Sequence, residues 1–307
     1  MRRAIITISI LFGFFSPVTA AAKDEVRILF IGNSYTGGIR KTFSKFMAAS
    51  PEGSSVKIEY IAPGGKNLAF HLQNQSTTRK IADGKWDFVI LQDQSQTPAV
   101  FPDTFKDAAV ALDKLIDSSG AQTVFYQTWG RRDGDKMNIK RFPDYKSMQK
   151  ELSKNYTSVA KRCDATLAPV GDTWAQVRKI DPDLGKALYT GDGSHPSERG
   201  AYLASCVFYA SLFSKNPATI KYESNIPQQE MATIQRAARE TVGVVEKSVY
   251  PINRPLTNSS GVRINARITG KSKTLVYFGS SGKNHAYDID QLSKESQEYV
   301  ATLPINR

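Results

Sequence analysis

Two short, glycine-containing segments hold residues of the types that activated-serine chemistry requires. In the first, Ser34 follows the apolar run Val26–Ile31 through Gly32 and Asn33, so its hydroxyl lies where a predicted strand ends and a helix begins. Backbone N–H groups at a helix start have no partner within the helix and favour developing negative charge. The position suits a nucleophile, although Asn33 and Ser34 could simply cap the helix, and taken alone capping is the better interpretation.

The second segment supplies an acid and a base. Asp192 and His195 stand three residues apart in the sequence Asp-Gly-Ser-His-Pro, directly before another predicted helix. A histidine that takes the serine proton and an acid that orients this histidine would complete a catalytic triad. His195 alone among the three histidines has an acid so placed, since His71 follows the second predicted strand and His285 lies near the C terminus. The alternative is that Asp192 and His195 only structure a turn.

The elements that must position these residues are strands alternating with helices. The strand candidates are Val26–Ile31, Val56–Ile61, Phe88–Leu91, Thr123–Tyr126 and Ala165–Val170. The helical segments include Ile39–Ala49, Phe105–Ile116, Tyr145–Lys161, Ser197–Phe213 and Gln228–Lys247. Strands separated by helices predict a five-stranded parallel sheet with right-handed crossovers, buried on both faces. Active sites of such sheets collect at the carboxyl ends of the strands, which is where Ser34 stands.

Composition indicates a globular protein. The 307 residues are 40% hydrophobic and 23% charged, which fits one sizeable core with a small appendage. The formal net charge is +12, but Lys and Arg are scattered without a dense run, as on a solvated basic surface, so no nucleic-acid partner is expected. Cys163 and Cys206 could form one disulfide or stay as two buried thiols.

The N terminus has the pattern of an export signal. Two arginines precede the apolar run Ala4–Phe15, small residues follow, and cleavage could come after Ala20 or Ala22. The run is too short to span a bilayer comfortably. No second long apolar stretch appears, so no integral membrane span is expected after removal of the signal. An uncleaved anchor is the alternative. The expected location is secreted or periplasmic.

Three segments are predicted: a signal peptide over residues 1–22, an α/β domain over 23–249 and a small β domain over 250–307. Pro251 and Pro255 mark the linker before the β domain. Its short β-rich runs are Val262–Ile268, Thr274–Phe278 and His285–Ile289, with a helix predicted from Ser293.

Four of these segments together resemble blocks one, two, three and five of the SGNH (GDSL) hydrolases. They are Gly32-Asn33-Ser34, Gly64-Gly65, Leu91-Gln92-Asp93-Gln94-Ser95 and Asp192-Gly193-Ser194-His195-Pro196. More narrowly, Ile31–Ser34, Leu91-Gln92 with Ser95, and Thr128-Trp129 resemble an uncharacterised branch of that clan. The resemblance covers about Val26 to Lys247 and implies a flavodoxin-like three-layer α/β/α fold.

The resemblance also implies the chemistry, which is ester hydrolysis through an acyl-enzyme. Ser34 is then the nucleophile, His195 the general base and Asp192 the acid that orients the base. No metal or organic cofactor is required, and a metal-dependent phosphoesterase is opposed by the shortage of histidines and paired His/Asp clusters. The expected substrate is an ester-bearing small molecule or an acylated polysaccharide with acetyl or other short acyl groups.

The same resemblance assigns the backbone amides of Ser34 and Gly65 to the oxyanion hole. The family's third donor is an asparagine in block three, which this sequence lacks. Gln92 or Gln94 could replace it, because a glutamine carboxamide carries the same N–H donor and strand alternation puts both residues on one face. One lost oxyanion donor typically costs about a hundredfold to a thousandfold in rate.

The C-terminal runs resemble the SLA-one homology domain, a small SH3-like barrel that recognises peptides in endocytic adaptors. The matching segments are Thr257–Gly261, Ile264–Arg267, Leu275–Phe278, Gly282-Lys283 and Leu292–Val300. This resemblance implies a peptide partner, whereas the alternative is a β extension packed on the hydrolase. A second function is thereby left open, namely a non-catalytic protein that binds glycan on the SGNH scaffold and peptide on the β module.

Two further features at the predicted active edge each allow two interpretations. His71 could border the substrate pocket or could satisfy helix or loop groups. Trp129 with Arg131-Arg132 could form a sugar-stacking or anion-binding wall, or Trp129 could belong to the core.

Overall fold

The structure, a computed structural model, describes residues 25–244, 256–264, 267–280 and 283–303. The predicted signal and the predicted linker with Pro251 and Pro255 lie outside the described residues. The chain divides into two compact units. Unit 1 takes the residues up to Tyr126 together with Lys154–Thr166, and unit 2 takes Gln127–Ser153 and the residues from Leu167 onward.

The first five strands form one sheet, which confirms the predicted α/β class. They are β1 (Val26–Ile31), β2 (Val56–Ile61), β3 (Phe88–Leu91), β4 (Gln122–Tyr126) and β5 (Thr166–Ala168). Their order is β2-β1-β3-β4-β5, and β1 pairs in parallel with β2 and β3, as β3 does with β4. This is the flavodoxin-like order, whose switch point lies between β1 and β3. Residues that follow these two strands therefore stand where ligands bind in such folds.

Helices connect the strands and continue beyond β5. They are α1 (Ser34–Ala48), α2 (Leu68–Gln73), α3 (Gln75–Asp83), α4 (Thr97–Val100), α5 (Pro102–Ser118), α6 (Tyr145–Arg162), α7 (Val170–Ile180), α8 (Pro182–Ala187), α9 (Glu198–Phe213) and α10 (Gln228–Val242). Four residues of β1, Ile28 to Ile31, are at most 1% exposed. A parallel strand covered on both faces requires such a continuous apolar run.

Two predicted boundaries are wrong. The fifth strand ends at Ala168, and Val170 already begins α7, because an apolar run alone does not distinguish a strand from a helix start. The last helix of the α/β region ends at Val242, short of the predicted Lys247. Gly243 has a φ of 77° there and its N–H bonds back to the helix, which is the usual glycine stop.

The C-terminal segment forms β structure with its own core. Its elements are β6 (Leu256–Thr257), β7 (Arg263–Ile264), β8 (Arg267–Lys271), β9 (Leu275–Ser280), β10 (Lys283–Asp288) and α11 (Lys294–Ala301). Strands β10-β9-β8 make one antiparallel sheet and β6-β7 another. Val276, Phe278 and Val300 belong to one buried cluster. Closure into an SH3-like barrel stays a prediction.

Two further observations concern the cysteines and the membrane. Cys163 and Cys206 are free thiols, Cys206 being buried, so of the two alternatives the structure has no disulfide between them. Within the described ranges, no helix is both long enough and apolar enough to cross a membrane.

Candidate active site

The turn that carries Ser34 is held by its neighbour. Ser34 is the first residue of α1, and the cap is made by Asn33, whose Oδ1 accepts the N–H of Tyr35 at 3.1 Å. The other end of the Asn33 side chain donates from Nδ2 to the Lys66 carbonyl at 2.8 Å. That bond ties the Ser34 turn to the loop of Gly65, which is exposed and has a φ of 70°, a conformation that favours glycine. Capping is thus the task of Asn33, and Ser34 is a candidate nucleophile.

Gln92 supports this turn from the end of β3. Its Oε1 accepts the N–H of Asn33 at 2.9 Å, the hydroxyl of Thr36 at 2.8 Å and the N–H of Thr36 at 3.3 Å. Its Nε2 donates to the carbonyl of Asp93. The side chain is fully buried, and a Cβ at Gly32 would collide with it and with Thr36. The oxygen of the Gln92 carboxamide therefore holds the nucleophile turn, and its nitrogen is engaged by the neighbouring backbone.

Gln94 has a different environment from Gln92. It is partly exposed, and its Oε1 accepts the N–H groups of Gln96 at 2.7 Å and Thr97 at 3.2 Å. Its Nε2 lies 3.4 Å from the Ser95 hydroxyl, which is a long contact for a hydrogen bond. Because two backbone N–H groups hold the Gln94 oxygen, the orientation of its NH₂ group is fixed as well. Of the two glutamines predicted from sequence, Gln94 is the one with a partly exposed side chain.

Asp93, between the two glutamines, was not singled out from the sequence. Its Oδ1 accepts the N–H of Leu68 at 3.1 Å and that of Gln94 at 2.6 Å, so it joins the start of α2 to the end of β3. Its Oδ2 is buried and has no hydrogen-bond partner among the described residues. Burial raises the pKa of Asp93 to about 7, although the two amides oppose the shift. The carboxyl is a buried clamp between two segments that carry predicted oxyanion donors.

His71 is a structural residue. The side chain is fully buried, with Nε2 2.9 Å from the Gly32 carbonyl and Nδ1 3.4 Å from the Thr77 hydroxyl. Burial lowers the pKa of His71, although the bond to Gly32 opposes the shift. Because a carbonyl only accepts, Nε2 carries the proton in the neutral ring. His71 therefore satisfies the Gly32 carbonyl, and the pocket-bordering interpretation is not supported.

In unit 2, Asp192 holds His195 by a short hydrogen bond. Asp192 Oδ2 lies 2.6 Å from His195 Nδ1, while Oδ1 accepts the N–H groups of Ser194 and His195 and the hydroxyl of Thr190 at 2.8–2.9 Å. Partial burial opposes ionisation, but the bond from the His195 ring and these three donors outweigh it, so the pKa of the Asp192 carboxyl lies well below its usual range. An ionised Asp192 fixes the proton on Nδ1 and leaves Nε2 as the basic nitrogen.

The loop of His195 rests on a buried tryptophan pair. Trp129 Nε1 donates to the Ser194 carbonyl at 2.9 Å, and the Trp129 ring stacks on Trp174 with centroids 4.1 Å apart. Trp129 is fully buried, so it is core packing that anchors the loop and no sugar-stacking wall. The backbone N–H of Arg132 also bonds to the Gly193 carbonyl at 2.8 Å. These contacts fix the loop that positions the Asp192–His195 pair.

Among the residues that the structure describes, no group of three or more His, Cys, Asp or Glu side chains could hold a metal ion. The chemistry available is that of a serine at the sheet's switch point, in unit 1, and an oriented histidine, in unit 2.

The fold and these residues define a flavodoxin-like α/β protein with the components of a serine hydrolase. No protein-family model matches the sequence, and no curated protein matches it. A solved structure from Slackia heliotrinireducens, provisionally described as an SGNH hydrolase, is 30% identical, with a TM-score of 0.53, and the match covers 61% of this chain and 99% of that one. The chain belongs to the SGNH hydrolase family.

A second solved structure supports the fold. It is a DUF4886 family protein from Bacteroides uniformis, 19% identical, with a TM-score of 0.62, and the match covers 71% of this chain and 95% of that one. At this identity the likeness concerns the fold alone.

Proposed function

We propose that the chain is an exported serine esterase with Ser34 as nucleophile. The observation that carries the proposal is the 2.6 Å contact of Asp192 with His195 Nδ1, which leaves Nε2 as the base. Ser34 belongs to unit 1 and His195 to unit 2, so their pairing is itself part of the proposal.

In the proposed reaction, His195 Nε2 takes the proton of the Ser34 hydroxyl while Oγ attacks the ester carbonyl. Collapse of the tetrahedral intermediate breaks the ester bond, and His195 returns the proton to the leaving alcohol. A water molecule, deprotonated by the same nitrogen, then attacks the acyl-enzyme and releases the carboxylic acid and Ser34. Asp192 stays ionised throughout and stabilises the protonated ring.

The proposed oxyanion donors are the backbone amides of Ser34 and Gly65 and the Gln94 carboxamide. The Ser34 amide lies at a helix start, where unpaired N–H groups favour negative charge. Gln94 is preferred over Gln92 because the Gln92 carboxamide is fully buried and engaged at both ends.

The proposed substrate is an acetyl or other short acyl ester on carbohydrate. The support is exposure: the side chains of His195 and Asp192 are 42% and 49% exposed, so a polymer could reach the base without entering a tunnel. Export to the periplasm or the medium is proposed from the N-terminal pattern, and N-terminal sequencing of the mature protein, expected to begin after Ala20 or Ala22, tests it.

The decisive test compares two serines of the same helix. The protein without its predicted signal is assayed with a chromogenic acetyl ester as wild type, as Ser34→Ala and as Ser44→Ala, the last being an exposed serine further along α1. Ser34→Ala should lower kcat about a thousandfold or more, and Ser44→Ala should leave it unchanged. A fluorophosphonate probe should label the wild type and the Ser44 variant only. Equal turnover by the Ser34 variant would eliminate the proposal.

One observation favours the non-catalytic alternative, in which the scaffold binds glycan and the β module binds peptide. Gln92, at the block-three position, is turned into the fold, so the third oxyanion donor depends on Gln94 alone. The separate buried cluster of the C-terminal segment supports an independent module. Measurable glycan binding without probe labelling would favour this function, and selection of a displayed peptide library on the full chain tests the proposed peptide partner.

A further inference from the structure

A basic pocket of about 770 Å³ lies in unit 2, within the size range of small-molecule sites. Its wall carries four basic side chains, Arg132, Lys146, Arg178 and Lys179, and two acidic ones, Asp133 and Asp144. Both acids are already engaged, Asp133 by the Arg132 guanidinium at 2.9 Å and Asp144 by the N–H of Ser147 at 2.8 Å. Four basic and two acidic side chains together leave the wall with a formal excess of two positive charges.

Arg178 is the positioned cation of this pocket. Its guanidinium lies over the Tyr145 ring, 4.1 Å from the centroid, where the ring face stabilises the charge. Arg178 Nη1 and the Tyr145 hydroxyl are buried and have no hydrogen-bond partner within the described part of the chain. Both atoms have essentially no solvent-accessible surface, so they lie behind the pocket wall. Arg178 thus gives this wall a cation whose orientation is fixed by the Tyr145 ring.

The pocket adjoins the loop of the proposed base. Arg132 lines the pocket, its backbone N–H bonds to the Gly193 carbonyl at 2.8 Å, and its side chain lies against the same glycine. A Cβ placed on Gly193 would stand 3.4 Å from three atoms of the Arg132 side chain. Gly193 separates Asp192 from Ser194 and His195 in the sequence. A ligand in the pocket would consequently lie beside the His195 loop.

We propose that this pocket binds a carboxylate-bearing sugar unit of the ester substrate, which makes the substrate an acylated acidic polysaccharide. The inference rests on the proposed esterase function and specifies its substrate class. A guanidinium fork pairs with a carboxylate through two parallel hydrogen bonds, and Pro143 and Ala175 supply apolar wall for the C–H face of a sugar ring. A sulfate ester on the polymer shares the oxyanion chemistry, and the test separates the two.

The test uses two acetylated oligosaccharides of matched length, one of uronate units and one of neutral sugar units, together with a small chromogenic acetyl ester. Arg178→Gln should raise KM for the uronate substrate about tenfold or more relative to KM for the neutral substrate and for the chromogenic ester. Arg236→Gln, an exposed arginine on α10 outside the pocket, is the matched control and should change none of them. Unchanged uronate KM in soluble, folded Arg178→Gln would overturn the proposal.

A second variant protects the test from a folding failure, since Arg178 packs against the Tyr145 ring. Lys146→Gln combined with Lys179→Gln changes two further basic residues of the wall and should also raise the uronate KM. If the Arg178 variant does not fold, an unchanged KM in this double variant overturns the inference.

Binding separates this inference from the esterase proposal. Titration calorimetry of Ser34→Ala with de-acetylated oligouronate should show binding that Arg178→Gln or the lysine double variant weakens, whether or not the wild type hydrolyses esters. Binding of a sulfated oligosaccharide of equal length in preference to the uronate would contradict the carboxylate assignment.

Discussion

The two groups of residues that the proposal joins are held in opposite ways. Around Ser34 the contacts are buried and long-range: Asn33 bonds to Gln92 and to Lys66, across 59 and 33 positions of sequence. Around His195 they are local and about half exposed, with Asp192 and Thr190 within five positions. The nucleophile turn therefore depends directly on distant segments of the fold. The Asp192–His195 pair is held within one loop, and Trp129 and Arg132 anchor this loop through its backbone carbonyls. Substitutions in the first group should affect stability and activity together, and those in the second mainly activity.

The largest expected effect is that of Asp192→Asn. The amide NH₂ would face His195 Nδ1 and favour the tautomer with its proton on the wrong nitrogen, so kcat on the chromogenic ester should fall about ten-thousandfold. Because the site is exposed and local, the free energy of unfolding should change by only about 0.5 kcal/mol. Asp183→Asn, at an exposed acid that pairs with Lys186, is the control. A large loss of stability without loss of kcat would contradict the expectation that substitutions around His195 affect mainly activity.

Gln94→Ala should have the next largest effect on rate. Loss of one oxyanion donor predicts a fall of kcat by about a hundredfold to a thousandfold with KM little changed. The N–H groups of Gln96 and Thr97 lose a partner near the surface, so stability should fall by about 1 kcal/mol. Kinetics and urea denaturation of the same preparation measure both. If kcat is retained, Gln94 is no oxyanion donor.

Gln92→Leu tests the buried group around Ser34, where we expect a loss of stability. It leaves the N–H groups of Asn33 and Thr36 and the Thr36 hydroxyl unpaired in the interior, so we expect a loss of about 2–4 kcal/mol in the free energy of unfolding. Activity should fall only as far as the Ser34 turn loosens. A variant as stable as the wild type but with kcat lowered a hundredfold would assign the oxyanion role to Gln92 instead.

Prediction from sequence succeeded where the signal is local. The strands are apolar runs, and Asp192 and His195 are three residues apart, so a single loop contains the whole pair. The sequence alone could not decide which of Gln92 and Gln94 is the oxyanion donor, because strand alternation puts both side chains on one face. What separates them is the contact of Gln92 with Asn33 and Thr36, more than fifty positions away.

Asp93 and Trp129 show the same limit. An acid two residues beyond the end of an apolar strand was a weak signal for Asp93, and nothing in the sequence showed that Leu68 would donate to it. For Trp129 the sequence left wall and core both open, and only the stack on Trp174 decides between them.

Trp129→Phe tests the anchor of the exposed loop. The substitution keeps an aromatic ring against Trp174 but removes the N–H that bonds to the Ser194 carbonyl, which should cost about 1 kcal/mol and lower kcat by roughly fivefold as the His195 loop loosens. Trp174→Phe is a matched control, because Trp174 Nε1 has no hydrogen-bond partner in the described ranges. Equal kcat values for the two variants would mean that the bond to Ser194 does not position the base.

A pH dependence of stability is the last expected effect, and it belongs to the buried group. Burial raises the pKa of Asp93 to about 7 from an ordinary value of 3.8, so between these values the folded chain keeps a proton that the unfolded chain releases. Stability should therefore fall as pH rises through that window, by at most about 1.4 kcal/mol per pH unit, and stay level above it. Asp93→Asn keeps an acceptor for the Leu68 and Gln94 amides without a titrating proton. In urea denaturation, the stability advantage of Asp93→Asn over the wild type should grow from about pH 4 to about pH 7. Parallel curves would show that Asp93 ionises normally and that its carboxyl is better solvated than its burial indicates.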